Sequence, residues 1–341
     1  MASITIFSGS FCSGEEVAGA VAGRLGCRRC EKEVLALASS RCNVAEERLL
    51  RAMHGPTAFF DRLTHERERN IACLRLALAE LAREDGFLLH GFAGHLIPPR
   101  VTHVLKVCLV ARFDHRVAVA MREREISEKE AERLVRRDDE ERMQWTQHLF
   151  GREPYEESLY DILLPMDTMT VDEAVEVICE NAGKEAVAPT PDSRRAAEDF
   201  LLAARVHLEL AKLGQDVEVS AEEGVLEIRI NRYVTRLEHV SSRIEAAARK
   251  VEGVREVHVA PGTRFIPPPL LRTADLGPPP RALLVDDERD FVQTLSERLQ
   301  TRNLESAVVF NGEEALDFLA GEEPEVMVLD LKMPGIDGIE V

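Results

Sequence analysis

Three aspartates raise the first chemical question. Asp286 and Asp287 close the apolar run "RALLVDD", and Asp330 closes a second apolar run, "VMVLD". If both runs are strands of one parallel sheet, the three carboxylates converge at its carboxyl edge. Clustered acids repel one another unless a hard cation joins them, and Mg²⁺, which takes oxygen ligands, is the natural occupant. A metal so placed would offset charge as Asp330 attacked a phosphoryl donor. The competing reading is three unrelated acids at strand ends.

The other end of the chain poses a second question. In "SGSFCSGEE", Gly9 and Gly14 have the glycine spacing of G-x-x-x-x-G-K-[ST], between an apolar "ITIF" and a helical "VAGAVAGRLG". Such glycines let the backbone wrap a phosphate, toward which the helix start points its N–H groups. Gly9, Ser10, Ser13 and Gly14 are therefore candidate phosphate contacts. Yet Glu15 and Glu16 occupy the places of the lysine and hydroxyl. Carboxylates there stabilise a helix by about 0.3–1 kcal/mol each, and they repel a triphosphate. A phosphate loop and a purely structural strand-to-helix turn both remain open.

The elements that must position these groups follow from composition and periodicity. At 341 residues the chain is long enough for two or three domains, and 45% hydrophobic content supplies their cores. With 61 acidic against 43 basic residues, the net charge of −18 argues against a generally basic nucleic-acid surface or an anionic-membrane binder. No DNA-binding segment and no membrane-spanning run is seen, and "MASITIFSGSF" lacks the form of a signal peptide, so a cytoplasmic protein is expected. The seven cysteines show no even framework, and "CRRC" at Cys27 to Cys30 lacks a second pair. Free thiols are the expectation, with metal or redox use of that pair the minor alternative.

Composition breaks at "GKEAVAPTPDS" (Gly183 to Ser193) and "PGTRFIPPPLLRTADLGPPP" (Pro261 to Pro280) divide the chain. The expected segments are 1–183, 194–261, a proline-rich linker at 262–280, and 281–341. In the first, "SITIF", "GFLLHGF", "VLKVCLVA" and "YDILLPM" alternate with helical stretches such as "RNIACLRLALAELARE", predicting an α/β domain with a parallel sheet. The second predicts a small α+β domain in the order α-β-β-α-β, with period-two strands around Gly224. The third begins strand, amphipathic helix.

Taken in order, "SGSFCSGEEVAGAVAGRLGCRRCEKEVL", "LLHGFAGHL", "RVAVAMREREISEKEAERLVRRDDEERMQW" and "YDILLPMDTMTVDEAVEVI" resemble the cytidylate-kinase-like branch of the nucleoside monophosphate kinases over residues 1–180. The resemblance implies a P-loop-kinase-like sheet, ATP and CMP as nucleotides, and an arginine-rich lid of Arg116, Arg124, Arg133, Arg137 and Arg142. Ten acids between Asp114 and Glu141, and Glu132 paired with Arg136 at i,i+4, fit a solvated surface helix equally well. The family's arginine beside the third-strand glycine is replaced by Phe92. His90 and His95 flank that loop, and either could touch a nucleotide or simply pack.

The middle segment resembles the BON module, which implies an interaction role. The "DD" pair, the later "LD" and "MPGIDG" resemble the receiver domain of two-component response regulators, whose fold is flavodoxin-like. That resemblance assigns Mg²⁺ to Asp286, Asp287 and Asp330, phosphate acceptance to Asp330, an adjoining loop to Met333 to Gly338, and a sensor histidine kinase as phosphodonor. The 61 residues from Arg281 to Val341 are about half of a receiver, so a truncated product of a longer protein is expected. Three functions compete: a phosphorelay signalling protein with a degenerate nucleotide-kinase-like module, an active cytidylate kinase with regulatory modules, and a nucleotide sensor without chemistry. Oligomeric state and catalytic residues are not legible.

Overall fold

The computed structural model describes residues 2–54, 66–234, 237–262, 265, 281–300, 304–321, 324, 326–331 and 333–341. The linker expected at 262–280 lies almost wholly outside them. The described residues fall into two compact units, one ending in the middle segment and one formed by the chain from Phe265 onward.

In the first unit, β1 (Ser3–Ser8), β2 (Arg28–Arg29), β3 (Phe87–His90), β4 (Val104–Val110) and β5 (Ile162–Pro165) form a parallel sheet in the order β2-β3-β1-β4-β5. All six residues of β1 are buried, as a central strand covered on both faces requires. One face carries α1 (Gly14–Leu25) and α7 (Val171–Ala182), whose Val17, Val21, Ala174 and Ile178 meet Ile4 and Ile6. The other carries α2 (Glu31–Cys42), α3 (Glu46–His54) and α4 (Glu66–Leu81), which meet Phe7, Phe87 and Leu89. Helices α5 (Phe113–Arg124) and α6 (Glu128–Phe150) form the arginine-rich pair, α6 starting at a Ser127/Glu130 capping box.

The middle segment follows the expected order: α8 (Pro191–Lys212), β6 (Val217–Glu222), β7 (Val225–Ile230), α9 (Leu237–Ala248) and β8 (Glu256–Pro261). Strand β7 pairs antiparallel with β6 and parallel with β8. The break before it does not separate two compact bodies. Thr190 caps α8 by accepting from the Ser193 N–H, and Pro191 occupies its first turn. Ser193 is buried, where its hydroxyl accepts from the His103 N–H at 3.1 Å. Ala197, Phe200, Leu201, Ala204 and Leu208 of α8 then join α4 in one core. Past its polar first turn, helix α4 buries every residue from Ile71 to Ala79 except Arg75, because it is covered on both sides.

Cysteine usage departs from the expectation of free thiols. Cys42 and Cys73 form a disulfide between α2 and α4, their Cα atoms 6.1 Å apart and so within bridging reach. Cys27 and Cys30 are free, but they are buried in core clusters on opposite faces of the sheet, so they do not act as a pair.

In the second unit, β9 (Arg281–Val285), β10 (Glu305–Val309) and β11 (Val326–Leu329) form a parallel sheet in the order β10-β9-β11. Helix α10 (Arg289–Gln300) buries Val292 and Leu299 against Ala282 and Leu284, while Ala315 of α11 (Gly312–Gly321) meets Leu283 and Val285 on the other face.

Candidate functional sites

The glycine-bracketed loop runs from the end of β1 into α1. The N–H of Gly9 donates to the Leu109 carbonyl at 2.9 Å, and Phe11 and Ser13 take left-handed conformations with φ of 58° and 53°. Both glycines are demanded by space. A Cβ on Gly9 would lie 3.0 Å from Cys12 Sγ and 3.2 Å from the Tyr155 hydroxyl; one on Gly14 would lie 2.7 Å from His90 Nε2. Ser13 makes no side-chain cap, and the buried hydroxyl of Ser10 has no hydrogen-bond partner among the described residues.

Glu15, in the lysine's place, is held by the protein's own cations. Arg29 Nη1 and Nη2 donate to its two carboxylate oxygens at 2.6 and 3.1 Å, and Nδ1 of His90 lies 3.2 Å away. Arg29 also donates to Glu31 at 2.6 Å, Glu31 accepts from the His90 N–H, and His90 Nε2 contacts the Ser8 hydroxyl at 3.0 Å. Arg29, followed by His90, holds the Glu15 carboxyl down at about 2. Burial lowers the His90 imidazole from its ordinary value.

Two of the five lid arginines come to this loop. Arg116 is buried and forms a bidentate pair with Asp139 at 2.6 and 2.7 Å; its Nε has no partner among the described residues. Arg142 Nε donates to the Ser8 carbonyl at 2.8 Å and its Nη1 to the Asp138 carbonyl at 2.7 Å. Tyr155 closes the group by donating to Asp139 at 3.4 Å. Arg124, Arg133 and Arg137 stay exposed and make no hydrogen bond to the loop; Arg137 instead contacts Asp138 at 3.4 Å. Phe92, in place of the family's arginine, is buried against Phe7 and Trp145, with the Arg142 guanidinium 5.4 Å from its ring.

His95 is a packed residue. Its Nδ1 accepts from Trp145 Nε1 at 3.3 Å, so its Nε2 carries the proton and donates to the Tyr160 hydroxyl at 2.9 Å. Burial pulls this imidazole down to about 3. Arg29, Asp139 and Tyr155 were not singled out in the sequence. Arg29 sits inside "CRRC", where the cysteines draw attention, and Asp139 lies in an acidic run that reads as solvated surface.

The acidic cluster is built at strand ends. Asp286 follows β9 and Asp330 follows β11, the two strands being neighbours, and the Asp330 N–H donates to the Val285 carbonyl at 2.9 Å. Carboxylate oxygens of Asp286, Asp287 and Asp330 lie within 4.8 Å of one another, and no cation of the described residues pairs with them. The segment from Met333 to Gly338 lies alongside. Met333 is buried against β9, and a Cβ on Gly338 would stand 3.0 Å from the Leu331 Cα, so glycine lets the loop close on Asp330. Three hard oxygen donors at this spacing suit Mg²⁺.

A kinase-like parallel sheet with a glycine-bracketed strand-to-helix loop is followed in the chain by a receiver-like parallel sheet with an acidic carboxyl edge. Residues 3–168 match the Cytidylate kinase-like family, and residues 282–341 match the Response regulator receiver domain. Neither match covers the middle segment. "Response regulator MprA" of Mycolicibacterium vanbaalenii is 40% identical over 63 residues, which are 18% of this chain and 27% of that protein. Its namesake in Mycobacterium avium is 39% identical over 61 residues, again 18% and 27%. The chain thus spans about a quarter of the length of these curated relatives. Among solved structures, an uncharacterized protein from Eubacterium ventriosum aligns with a TM-score of 0.40 at 15% identity, over 54% of this chain and all of that one. Shikimate kinase from Bacteroides thetaiotaomicron aligns at 0.33 and 12%, over 53% and 97%.

Proposed function

We propose that the chain belongs to a two-component phosphorelay protein in which Asp330 accepts a phosphoryl group. The observation that carries this reading is the convergence of Asp286, Asp287 and Asp330 at adjacent strand ends, with no cation paired to them among the described residues. The three would hold Mg²⁺, which supplies positive charge to the phosphoryl oxygens. A carboxylate oxygen of Asp330 attacks phosphorus, and the bond from phosphorus to the donor breaks. With a sensor histidine kinase as donor, that bond is phosphorus to imidazole nitrogen. Incubation of the full-length protein with acetyl phosphate and Mg²⁺ is expected to give a hydroxylamine-sensitive acyl phosphate that D330N lacks. Label that is absent, or retained in D330N, would refute it.

Residues 1–183 serve in this proposal as a nucleotide-binding module of reduced or absent turnover, 194–261 as a BON-like interaction module, 262–280 as linker and 281–341 as receiver. The BON-like reading rests on the α-β-β-α-β order alone. Among the described residues no helix is long and apolar enough to cross a membrane; a cytoplasmic location belongs to the proposal. The alternative, an active cytidylate kinase passing the γ-phosphoryl of ATP to CMP, is favoured by one observation: Arg116 and Arg142 meet the loop at Ser8 and Gly9. Calorimetry with ATP and CMP beside a coupled assay separates the two. Binding weakened about tenfold in R142A, with no turnover, supports a sensor, whereas turnover lost in R142A supports a kinase.

A further inference from the structure

The first unit contains a cavity of about 1670 Å³ between the kinase-like sheet and the middle segment, walled by α4, α8 and β6. Neither phosphate-handling site uses this wall. Arg75 enters it from the apolar helix α4, its guanidinium 5.7 Å from the Phe200 ring centre and Nη2 donating to the Val219 carbonyl at 2.8 Å. Its Nε is sealed from solvent with no hydrogen-bond partner, and no carboxylate of the described residues forms an ion pair with it. Glu218 attracts it only from a distance.

His207 faces the same cavity from α8. It is 8% exposed, and its Nδ1 is buried without a partner. Burial and the nearby Arg75 charge lower its pKa to about 3, so the ring is neutral. A half-buried guanidinium with a sealed Nε and a buried ring nitrogen, neither atom hydrogen-bonded among the described residues, are expensive to fold unless something completes them. Around them Ile71, Phe200 and Val217 are apolar, while the lining also carries Glu68, Asp199, Glu222 and Glu223 among Arg100 and Arg255, Glu222 being paired to Arg100 at 2.6 Å. One guanidinium in this wall matches a single negative charge. The apolar wall suits a hydrocarbon body.

We infer that this cavity binds a small monocarboxylate with an apolar body, its oxygens accepting from the Arg75 guanidinium beside His207. The site is independent of the readings given to Asp330 and to the glycine loop.

Titration calorimetry on the full chain with benzoate, isovalerate, benzamide and inorganic phosphate tests it. At least one carboxylate is expected to bind saturably, at least ten times more tightly than benzamide or phosphate, and at least ten times more weakly to R75Q and H207A. Because those variants can lose the fold, the unmutated chain is also followed by imidazole ¹⁵N resonances, and benzoate should shift that of His207. Failure of both carboxylates to bind, affinity unchanged in folded variants, an unmoved His207 resonance, or tighter binding of phosphate would each overturn the inference.

Discussion

The two acidic features of this chain have opposite electrostatic settings. Glu15 stands where a phosphate-binding lysine belongs, yet it is bracketed by Arg29 and His90 and already neutralised from within. Asp286, Asp287 and Asp330 share a strand edge with no such partner among the described residues. An internally paired carboxylate makes no demand on a ligand. Three within 4.8 Å of one another, with no cation beside them among the described residues, store repulsion that an external cation releases. The difference separates a closed structural network from an open site, although both look on paper like negative charge at a strand end.

The largest effect should come from supplying and removing that cation. Mg²⁺ at a hundredfold excess over its dissociation constant is expected to stabilise the C-terminal unit by about 2.7 kcal/mol. D287N should weaken Mg²⁺ at least tenfold, while E15Q leaves that titration unchanged. Thermal melts with Mg²⁺ and with EDTA check both. A Mg²⁺ response that is insensitive to D287N but altered in E15Q would reverse the assignment of open and closed sites.

A smaller effect tests whether the loop network is as tightly packed as its hydrogen bonds suggest. G14A puts a methyl 2.7 Å from His90 Nε2 and against the Ser8 side chain, neither of which can retreat without losing its hydrogen bond. Overpacking of this kind costs about 1–3 kcal/mol. Denaturant unfolding should register that loss in G14A and almost none in G19A, where a Cβ meets nothing within 4 Å. Equal stability of the two variants would show that the loop relaxes freely.

The sequence disclosed repeating, local patterns and concealed those made by distant pairs. Four strands of the parallel sheet and the order α-β-β-α-β were visible as runs and alternation in "SITIF" or "VLEIRI", although the fourth, β5, lies at the sheet edge with Leu163 exposed. Asp286 and Asp330 were visible because parallel strands put their carboxyl ends together by topology alone. Two-residue β2 was too short to show a period, and Arg29, which it delivers to Glu15, was invisible with it. The Cys42–Cys73 disulfide depends on how α2 meets α4, which no spacing encodes. Of the five arginines named by resemblance, only Arg116 and Arg142 reach the loop, since a helix turns one face inward and Arg124, Arg133 and Arg137 lie on others.

The smallest effect concerns the pairing of Glu15 itself. Its carboxyl is lowered from 4.5 to about 2, chiefly by the Arg29 hydrogen bonds and then by His90. A depressed carboxylate contributes stability that is fully present above its unfolded value, near pH 4.5, and lost as pH falls through about 2. The side chain is 73% exposed, so solvent screening holds the contribution below about 1 kcal/mol. Wild type should therefore exceed E15Q by that amount at pH 7 and converge with it toward pH 2. The gap should also narrow in about 1 M salt, where the screening length falls to about 3 Å. Urea unfolding at pH 7, 4 and 2.5 measures it. A gap that stays constant across that range would mean that Glu15 acts through its shape rather than its charge, and the contrast with the acidic cluster would then no longer be electrostatic.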